Sequence, residues 1–435
     1  MALTKIKQSN LANPYLDDIA LLGFKVAVTG SLAKYNLVDQ TEDAFMDATG
    51  IDASLSTDEI RNVENYYSGG SAETTVTKSY TGSDDSFSVP SGVNNLTFIA
   101  WGAGGGGGSS SIGGGGGFIE GNISVTPSES LVVKVGGGGA IAHASASNPG
   151  GGGGGTGIYR SSTVLAIAGA GGGGENAVQG GPGGGTTGGP GAGPGGGLVA
   201  NGGTQSAGGA AVDGGGAGSL NQGGDAASAA STAAGGYNGG GDGDGDNVSF
   251  TSGGGGGGYY GGSSGGATGS NHGSGAGGSS LTNGTNTQAV GGVVANAGHA
   301  DYAAGTGNGV SNSAGQNGYA VIKYTPTSNM TLVSTATEAE ATPTKGNIVM
   351  TYTNGAGTAT LNTDLKAYAS RDDGSTWTQL TLTAQGNTGS HFIVSSHSVD
   401  ISSQPDDKTM RYKIETLNQG GTKATRIQAV SLGWS

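Results

Sequence analysis

Three acidic residues stand at alternate positions in the stretch GDGDGDN. Asp242, Asp244 and Asp246 have the spacing at which calcium-binding loops place their first ligands. An EF-hand loop also has Gly at its sixth position and an acidic residue at its twelfth, but Asn247 and Gly253 stand there. Two interpretations stay open: a simple Ca²⁺ site, or a solvated polar loop that binds no cofactor.

A second motif, SRDDGSTWTQ, has the pattern S-x-D-x-G-x-T-W, which resembles the repeated Asp-box hairpin turns of sialidases. We expect the aspartate to accept hydrogen bonds from nearby backbone N–H groups, the glycine to adopt a positive φ and the tryptophan to pack beneath the turn. The motif is structural even in those enzymes. One copy, without a catalytic set of Arg, Tyr and Glu, favours a structural turn over glycan hydrolysis. Its residues are Ser370, Asp372, Gly374, Thr376 and Trp377.

Three tyrosines, Tyr237, Tyr259 and Tyr260, lie beside glycine runs. Aromatic rings in such places either wall a packed glycine region or offer stacking surfaces to sugars. Both interpretations stay open, and the three tyrosines are the candidate receptor-binding residues. The G-x-S-x-G match at 262–266 follows no predicted strand, which argues against a nucleophile elbow. We therefore expect no enzymatic activity.

Composition excludes several kinds of protein and of site. The formal net charge of the 435 residues is −14, and Lys134 and Arg160 are the cations between 101 and 320, whereas a nucleic-acid groove needs clustered Lys and Arg. The absence of Cys excludes disulfides, thiolate metal sites and Cys nucleophiles. No stretch approaches the roughly 18 apolar residues of a membrane span, and the start lacks the apolar core of a signal peptide. We expect neither nucleic-acid binding nor membrane insertion.

The first segment, 1–75, differs in composition from the rest and predicts a small α/β segment, for which two interpretations stay open: a small cap, or a docking segment that folds against a partner or against copies of itself. The stretch FKVAV at 24–28 is typical of a short strand. A helix is predicted over 54–70, because a capping box starts it, Ile60, Val63 and Tyr67 share one helical face, and a glycine ends it. A second short helix is predicted over 39–48.

The central segment, 76–326, alternates strands with glycine-rich stretches, and the final segment, 327–435, has the strand spacing of a small β-sandwich. Apolar residues on both alternating faces of 95–101 predict a strand buried on both sides. Strands are predicted at 86–90, 95–101, 118–125, 130–135, 162–169, 318–324, 346–353, 358–370, 377–385, 391–401, 409–418 and 426–435.

Glycine accounts for 97 residues, mostly in irregular runs between 101 and 320 rather than at every third position as in collagen. These runs begin where predicted strands end. Polyglycine can adopt a helix of the polyproline II type, with 3 residues per turn and no internal hydrogen bonds, so each N–H and C=O needs a partner elsewhere. Several such helices packed side by side supply those partners and leave no room for Cβ. A flexible linker is the alternative.

The central segment resembles the glycine-rich domain of bacteriophage tail-fibre and adhesin proteins. The matching stretches are VPSGVNNLTFIAWGAGGGGG, VTPSESLVVKVGGGG, GGGGGTGIYRSSTVLAIAGAGGGG, GGGGGGYYGG and GQNGYAVIKY, in that order over 80–325. The same series is similar to the glycine-rich domain of anaplastic lymphoma kinase-type receptors. The flanks, including NVENYYSGG, SRDDGSTWTQ and MRYKIETLN, are similar to modules of marine-phage tail-fibre-like proteins.

The resemblance implies a mostly β fold, in which a tumour-necrosis-factor-like β-sandwich carries inserted polyglycine II helices. It implies a structural virion protein, assembled in the host cytoplasm, that attaches to other virion proteins through its first segment and to a host-surface glycan or protein through its loops. A homotrimer is the implied assembly. A capsid fibre or decoration protein, an ice-binding protein and a glycan hydrolase are the alternatives.

Overall fold

The computed structural model describes residues 34–37, 39–141, 149–193, 198–226, 231–244, 251–268 and 271–435. Every regular element in these ranges is a β-strand, and every pair of neighbouring strands is antiparallel, which confirms the mostly β prediction. The described residues divide into two compact units. The glycine-rich unit comprises Thr74–Val89 and Asn95–Tyr324; the terminal unit comprises the described residues up to Glu73, Pro90–Asn94 and Thr325–Ser435.

The strands are numbered in chain order. Those of the terminal unit that come first are β1 (Lys34–Leu37), β2 (Gln40–Asp43), β3 (Glu59–Asn62) and β4 (Tyr66–Gly69). Those of the glycine-rich unit are β5 (Thr74–Ser79), β6 (Asp85–Ser88), β7 (Asn95–Trp101), β8 (Phe118–Ser124), β9 (Ser130–Lys134), β10 (Thr156–Arg160), β11 (Thr163–Ala168), β12 (Ser231–Ala233), β13 (Gly243–Asp244), β14 (Ala267–Thr268), β15 (Asn271–His272), β16 (Thr285–Thr287) and β17 (Tyr319–Tyr324). The terminal unit continues with β18 (Met330–Val333), β19 (Thr337–Glu338), β20 (Lys345–Ala356), β21 (Leu365–Ser370), β22 (Thr378–Leu380), β23 (Thr383–Thr388), β24 (His391–Asp400), β25 (Thr409–Thr416) and β26 (Ala424–Trp434).

Two sheets form the sandwich-like part of the glycine-rich unit. A five-stranded sheet has the order β16-β8-β7-β17-β5, and a four-stranded sheet has the order β11-β10-β9-β6. On β7, Leu96 and Phe98 are fully buried on one face, and Ile99 and Trp101 are buried on the other. The face with Trp101 packs under the segment 289–295. The prediction that this strand is buried on both sides is therefore confirmed.

The terminal unit has two further sheets around one apolar core. The larger has the path β1-β2-β26-β20-β24-β23, with β4 beside β26 and β3 beside β4; the smaller has the path β18-β25-β21-β22, with β19 beside β25. β2 and β4 of the first segment thus pair directly with the last strand of the chain. Such short strands bury little core by themselves, so pairing with β26 stabilises them.

The two helix predictions in the first segment are wrong where the structure describes it. Residues 54–70 contain the β3–β4 hairpin, and 39–48 contain strand β2. The hairpin turns at Asn65, which has a φ of 60°, and Asn62 Oδ1 accepts the N–H of Glu64 at 3.1 Å. Turn-forming asparagines and pairing with β26 outweigh the helical spacing, and Val63 is 92 % exposed. The predicted strand at 24–28 lies outside the described residues.

The glycine runs between these strands form neither β-strands nor α-helices, yet they are buried and hydrogen-bonded. In the segment 102–107, consecutive N–H groups donate to three different neighbours in turn. The first and fourth donate to 113–117, the second and fifth to 151–154, and the third and sixth to 313–316, at N···O distances of 2.9–3.1 Å. The hydrogen bonding therefore repeats every three residues.

The segment 150–155 is surrounded on all sides. All six N–H groups donate to backbone carbonyls of three neighbours at 2.8–3.0 Å, and the first five carbonyls accept from backbone N–H groups of three others. The sixth carbonyl accepts from Asn238 Nδ2 at 2.7 Å. The accepting neighbours are 137–140, 171–174 and 238–241, and the donating neighbours are 103–106, 236–238 and 254–257; the runs 236–238 and 238–241 are the two arms of the turn at Asn238.

This packing leaves no space for side chains at the centre. A Cβ built on Gly152 would lie 1.9 Å from the carbonyl oxygen of Gly255, and one on Gly105 would lie 2.1 Å from that of Gly172. Where serine replaces glycine in the interior, its hydroxyl takes a backbone partner; the Gly216 N–H donates to Ser264 Oγ at 2.7 Å. The absence of side chains in these runs is thus a packing requirement.

Candidate functional site

The hairpin turn between β21 and β22 carries the Asp-box motif. Ser370 Oγ donates to Asp372 Oδ1 at 2.6 Å and accepts the N–H of Gly374 at 2.9 Å. Thr376 donates to both carboxylate oxygens of Asp372, from its N–H to Oδ1 at 2.9 Å and from its hydroxyl to Oδ2 at 2.7 Å. Gly374 has a φ of 83°, and the Trp377 ring lies against it. Both carboxylate oxygens of Asp372 therefore accept hydrogen bonds from residues of the turn itself.

The electrostatics of Asp372 match this structural use. Burial by itself raises its pKa, but the hydrogen bonds from Ser370 and Thr376 outweigh that effect and hold the pKa below its usual value. Asp372 is thus an ionised hydrogen-bond acceptor at neutral pH. A general acid in glycoside hydrolysis needs the opposite shift, toward a raised pKa.

Sequence reasoning assigned no role to Arg371, which lies inside the same motif and is 2 % exposed. Its guanidinium donates to the backbone carbonyls of Pro343 at 2.7 Å, Ser402 at 2.9 Å and Gln404, and to Asp406 Oδ1 at 2.8 Å. Arg371 directly follows β21, and its neighbours Ser370 and Asp372 are buried as well, so the whole start of the turn lies inside the unit. The arginine between the two motif residues in SRDDGSTW was the sequence feature that could have indicated this structural role.

On the glycine-rich unit, Tyr237 belongs to a cluster with Tyr80, Asp84 and Lys134. The Tyr237 hydroxyl donates to Asp84 Oδ1, and Lys134 Nζ lies 3.3 Å from the same oxygen. The ring centroids of Tyr80 and Tyr237 are 6.3 Å apart. Tyr80 is 37 % exposed and Tyr237 is half-buried, so the cluster presents aromatic surface, a carboxylate and an ammonium group to solvent.

The charges in this cluster are fixed at neutral pH. The hydrogen bond from Tyr237, and then the contact with Lys134, lower the pKa of Asp84 against the opposing effect of burial. Burial, and then the hydrogen bond to Asp84, raise the pKa of Tyr237 to about 12. The phenol therefore stays a neutral donor to an ionised carboxylate.

Tyr259 and Tyr260 form a separate pair. Their rings meet edge to face with centroids 5.1 Å apart, and both side chains are half-buried. The backbone of Tyr260 forms an isolated antiparallel β-bridge with that of Leu220, whose side chain is 53 % exposed. No hydrogen bond or ring contact joins this pair to Tyr237 among the described residues, so the three candidate tyrosines do not form one site.

The alternate aspartates are only partly described. Asp242 Oδ1 accepts the N–H of Gly235 at 2.7 Å, and the backbone N–H of Asp242 donates to Asp225 Oδ1 at 2.9 Å. Asp244 is 2 % exposed, and Asp246 lies outside the described residues. The described ranges contain no group of three His, Asp or Glu side chains placed to hold a metal ion. The Ca²⁺ interpretation stays a prediction.

A buried carboxyl group at Glu175 was not anticipated from the sequence. Glu175 is 1 % exposed, and its Oε1 accepts the hydroxyl of Thr251 at 2.7 Å. The N–H of Thr251 donates to His272 Nδ1 at 3.3 Å. Burial raises the pKa of Glu175 from 4.5 to about 7, although the bond from Thr251 acts in the opposite direction.

We expect Glu175→Gln to remove a pH-dependent loss of stability in the glycine-rich unit. A carboxyl group whose pKa is raised on folding contributes its full stabilisation of the folded state at pH values below its pKa in the unfolded chain. That contribution is lost as the pH rises through its pKa in the folded protein. The wild-type protein should therefore lose about 3 kcal/mol relative to the variant between pH 4.5 and pH 8. Denaturant unfolding of both proteins across this range measures the difference, and equal pH slopes would contradict the prediction.

Among the described residues, no helix has the length and apolar character that a membrane crossing requires. Comparison of the chain with protein-family models and with curated proteins finds no match.

Proposed function

We propose that this chain is a structural virion protein of a bacteriophage, a tail-fibre or adhesin-like component that displays host-binding loops on a rigid glycine scaffold. In this proposal the buried glycine runs are polyglycine II helices carried by a tumour-necrosis-factor-like β-sandwich. The chain acts without catalysis, as a homotrimer, and its first segment, 1–75, attaches it to other virion proteins.

One observation carries the proposal. The hydrogen bonding of 102–107 repeats every three residues, which is the number of residues per turn of a polyproline II-type helix. The segment 150–155 is hydrogen-bonded to six runs of backbone, two of which are the arms of the turn at Asn238, and six is the number of neighbours that close packing of parallel rods gives. A scaffold bonded throughout by its backbone holds loops in place without a large apolar core, and recognition residues placed on a rigid scaffold are preorganised.

The surface tyrosines support attachment as the activity. Tyr80 and Tyr237 offer aromatic surface beside Asp84 and Lys134, and large, rigid aromatic side chains lose little conformational entropy on binding. The resemblance over 80–325 implies attachment to a host surface, and these side chains are placed to make such a contact.

Adsorption to bacteria tests this function. The fluorescent chain should bind some strains of a bacterial panel, and Tyr237→Ala should weaken this binding about tenfold, the equivalent of 1.4 kcal/mol, because a stacking ring is lost. Tyr237→Phe keeps the ring and serves as the matched control. Equal binding by all three proteins would remove Tyr237 from the site, and no binding by the wild type to any strain would contradict attachment.

Electron microscopy places the chain on the particle. Gold-labelled antibody against the chain should decorate fibres at the tail of virions that contain it, and the same antibody should block their adsorption. Label over the capsid shell would favour the alternative of a capsid fibre or decoration protein. Absence of label from purified virions would contradict a virion role altogether.

A further inference from the structure

An open polar groove of about 520 Å³ lies on the five-stranded sheet of the glycine-rich unit, on the face that carries Thr97 and Ile99. This volume falls within the range of small-ligand sites, about 300–1,000 Å³. The groove is separate from the Tyr237 cluster and from the Tyr259–Tyr260 pair, none of whose residues lines it. Its side chains come from β7, β8, β16 and the turn before β16: Thr97, Glu120, Asn122, Asn283 and Thr285.

Two glycines give the groove its shape. A Cβ on Gly121 would lie 2.3 Å from Thr282 Oγ1, and one on Gly284 would lie 2.2 Å from the carbonyl oxygen of Glu120. The turn 282–284 therefore closes tightly against β8. Asn283 Nδ2 holds it there by donating to the backbone oxygen of Asn122 at 2.7 Å.

The polar side chains keep hydrogen-bonding capacity for a ligand. Thr97 Oγ1 donates to Asn122 Oδ1 at 3.1 Å, which fixes the Asn122 amide and leaves its Nδ2 donors for the groove. Thr285 lies directly across the strand pair from Glu120, about 5 Å away between Cα atoms. Asn122 follows Glu120 by two residues, about 6.7 Å along the same face. Donors and acceptors thus alternate over the span of one sugar ring.

The lining also discriminates between classes of ligand. It contains no aromatic or large aliphatic side chain, and such residues are the usual anchors of a protein or peptide interface. Glu120 is the one charged residue in the lining, its Oε2 lies 3.7 Å from His299 Nε2, and its carboxylate repels an acidic ligand. Lys323, opposite Thr97 on the next strand, is paired with Asp301 at 2.8 Å.

We propose that this groove is a binding site for a neutral glycan, with Asn122, Thr285 and Glu120 contacting sugar hydroxyls. The site rests on the proposed function, because the glycan is one displayed on the host surface. Attachment then uses the side of the β-sandwich as well as the loops of the glycine scaffold.

Binding to an array of purified bacterial surface polysaccharides, neutral and acidic, tests the groove. The wild-type chain should bind neutral polysaccharides. Thr285→Trp, which fills the groove from an exposed position, and Asn122→Ala, which removes two donors, should each reduce that binding at least tenfold. Ser88→Ala, at an exposed position on the four-stranded sheet, is the control and should bind as the wild type does. Glu120→Gln should increase binding to acidic polysaccharides.

The outcomes separate this inference from the proposed function. If the wild type binds neutral polysaccharides and Thr285→Trp and Asn122→Ala bind equally well, the groove is not the site, while attachment stands. Binding to acidic polysaccharides alone overturns the groove in the same way. If the chain adsorbs to bacteria but binds no polysaccharide, the receptor is a protein and the inference fails. If it adsorbs to no strain either, both proposals fail.

Discussion

Replacing Gly152 by Ala should lower the free energy of unfolding of the glycine-rich unit by about 3 kcal/mol or more. The added Cβ would lie 1.9 Å from the carbonyl oxygen of Gly255, and no flexible side chain is there to move aside. Because Gly152 donates to Gly241 and accepts from Gly236, moving its backbone breaks hydrogen bonds to two further segments. A loss of this size lowers the Tm of a unit of this length by about 6–12 °C.

Gly298→Ala is the matched control in the same unit. Nothing lies within 4 Å of a Cβ at Gly298, and its φ is not in the left-handed region. Its substitution should be neutral or stabilise by about 0.5 kcal/mol, since alanine restricts the unfolded chain. Hydrogen exchange with mass spectrometry follows both variants, and faster exchange at 150–155 is expected for Gly152→Ala alone. Exchange at the rate of an unstructured peptide in the wild type would contradict the scaffold itself.

Arg371→Met should destabilise the terminal unit by about 3 kcal/mol, because it leaves three backbone carbonyls without their charged donor. The guanidinium joins Pro343, Ser402 and Gln404, which lie on two separate stretches of chain. Methionine fills part of the volume but donates no hydrogen bond. Chemical denaturation monitored by tryptophan fluorescence follows this unit through Trp377 and Trp434, and the signal of Trp101 from the glycine-rich unit should be the same in both proteins.

The control for this substitution is Arg160→Met. Arg160 pairs with Glu129 on the surface of the glycine-rich unit, and its side chain is 47 % exposed. Exposed ion pairs contribute at most about 1 kcal/mol, so this variant should remain close to the wild type. If the two substitutions lower the free energy of unfolding equally, the buried hydrogen bonds of Arg371 to three carbonyls contribute no more to stability than the exposed ion pair of Arg160.

Half of the 26 strands in the described ranges overlap a strand predicted from the sequence. The strand predicted at 95–101 is β7 with the same bounds, and the strand predicted at 391–401 is β24, which ends one residue earlier. These predictions succeed because apolar residues repeat with the two-residue period of a strand, and that period itself states which side chains are buried. The turn at Ser370–Trp377 is local for a similar reason, since its partners lie within four residues of each other.

The helix predicted over 54–70 failed because short segments carry too few periods to separate helix from hairpin. The decisive contact is the pairing of β4 with β26, more than 350 residues away along the chain. Glu175 and the groove residues escaped notice for the same reason. A single glutamate or asparagine forms no local sequence pattern. The environment of Glu175 depends on its contact with Thr251, and that of Asn122 on its contact with Asn283, and both contacts are distant along the chain.

The amino-acid pattern alone specifies the extended conformation of strands such as β7 and β24, the apolar faces of those strands, and the places where side chains are absent. It did not determine which glycine run lies beside which, because a run of identical residues without side chains encodes neither register nor partner. The tertiary structure decides both. Strands such as β7 and β11 fix where the runs at 102 and 169 begin, and close packing with backbone hydrogen bonding then selects the neighbours.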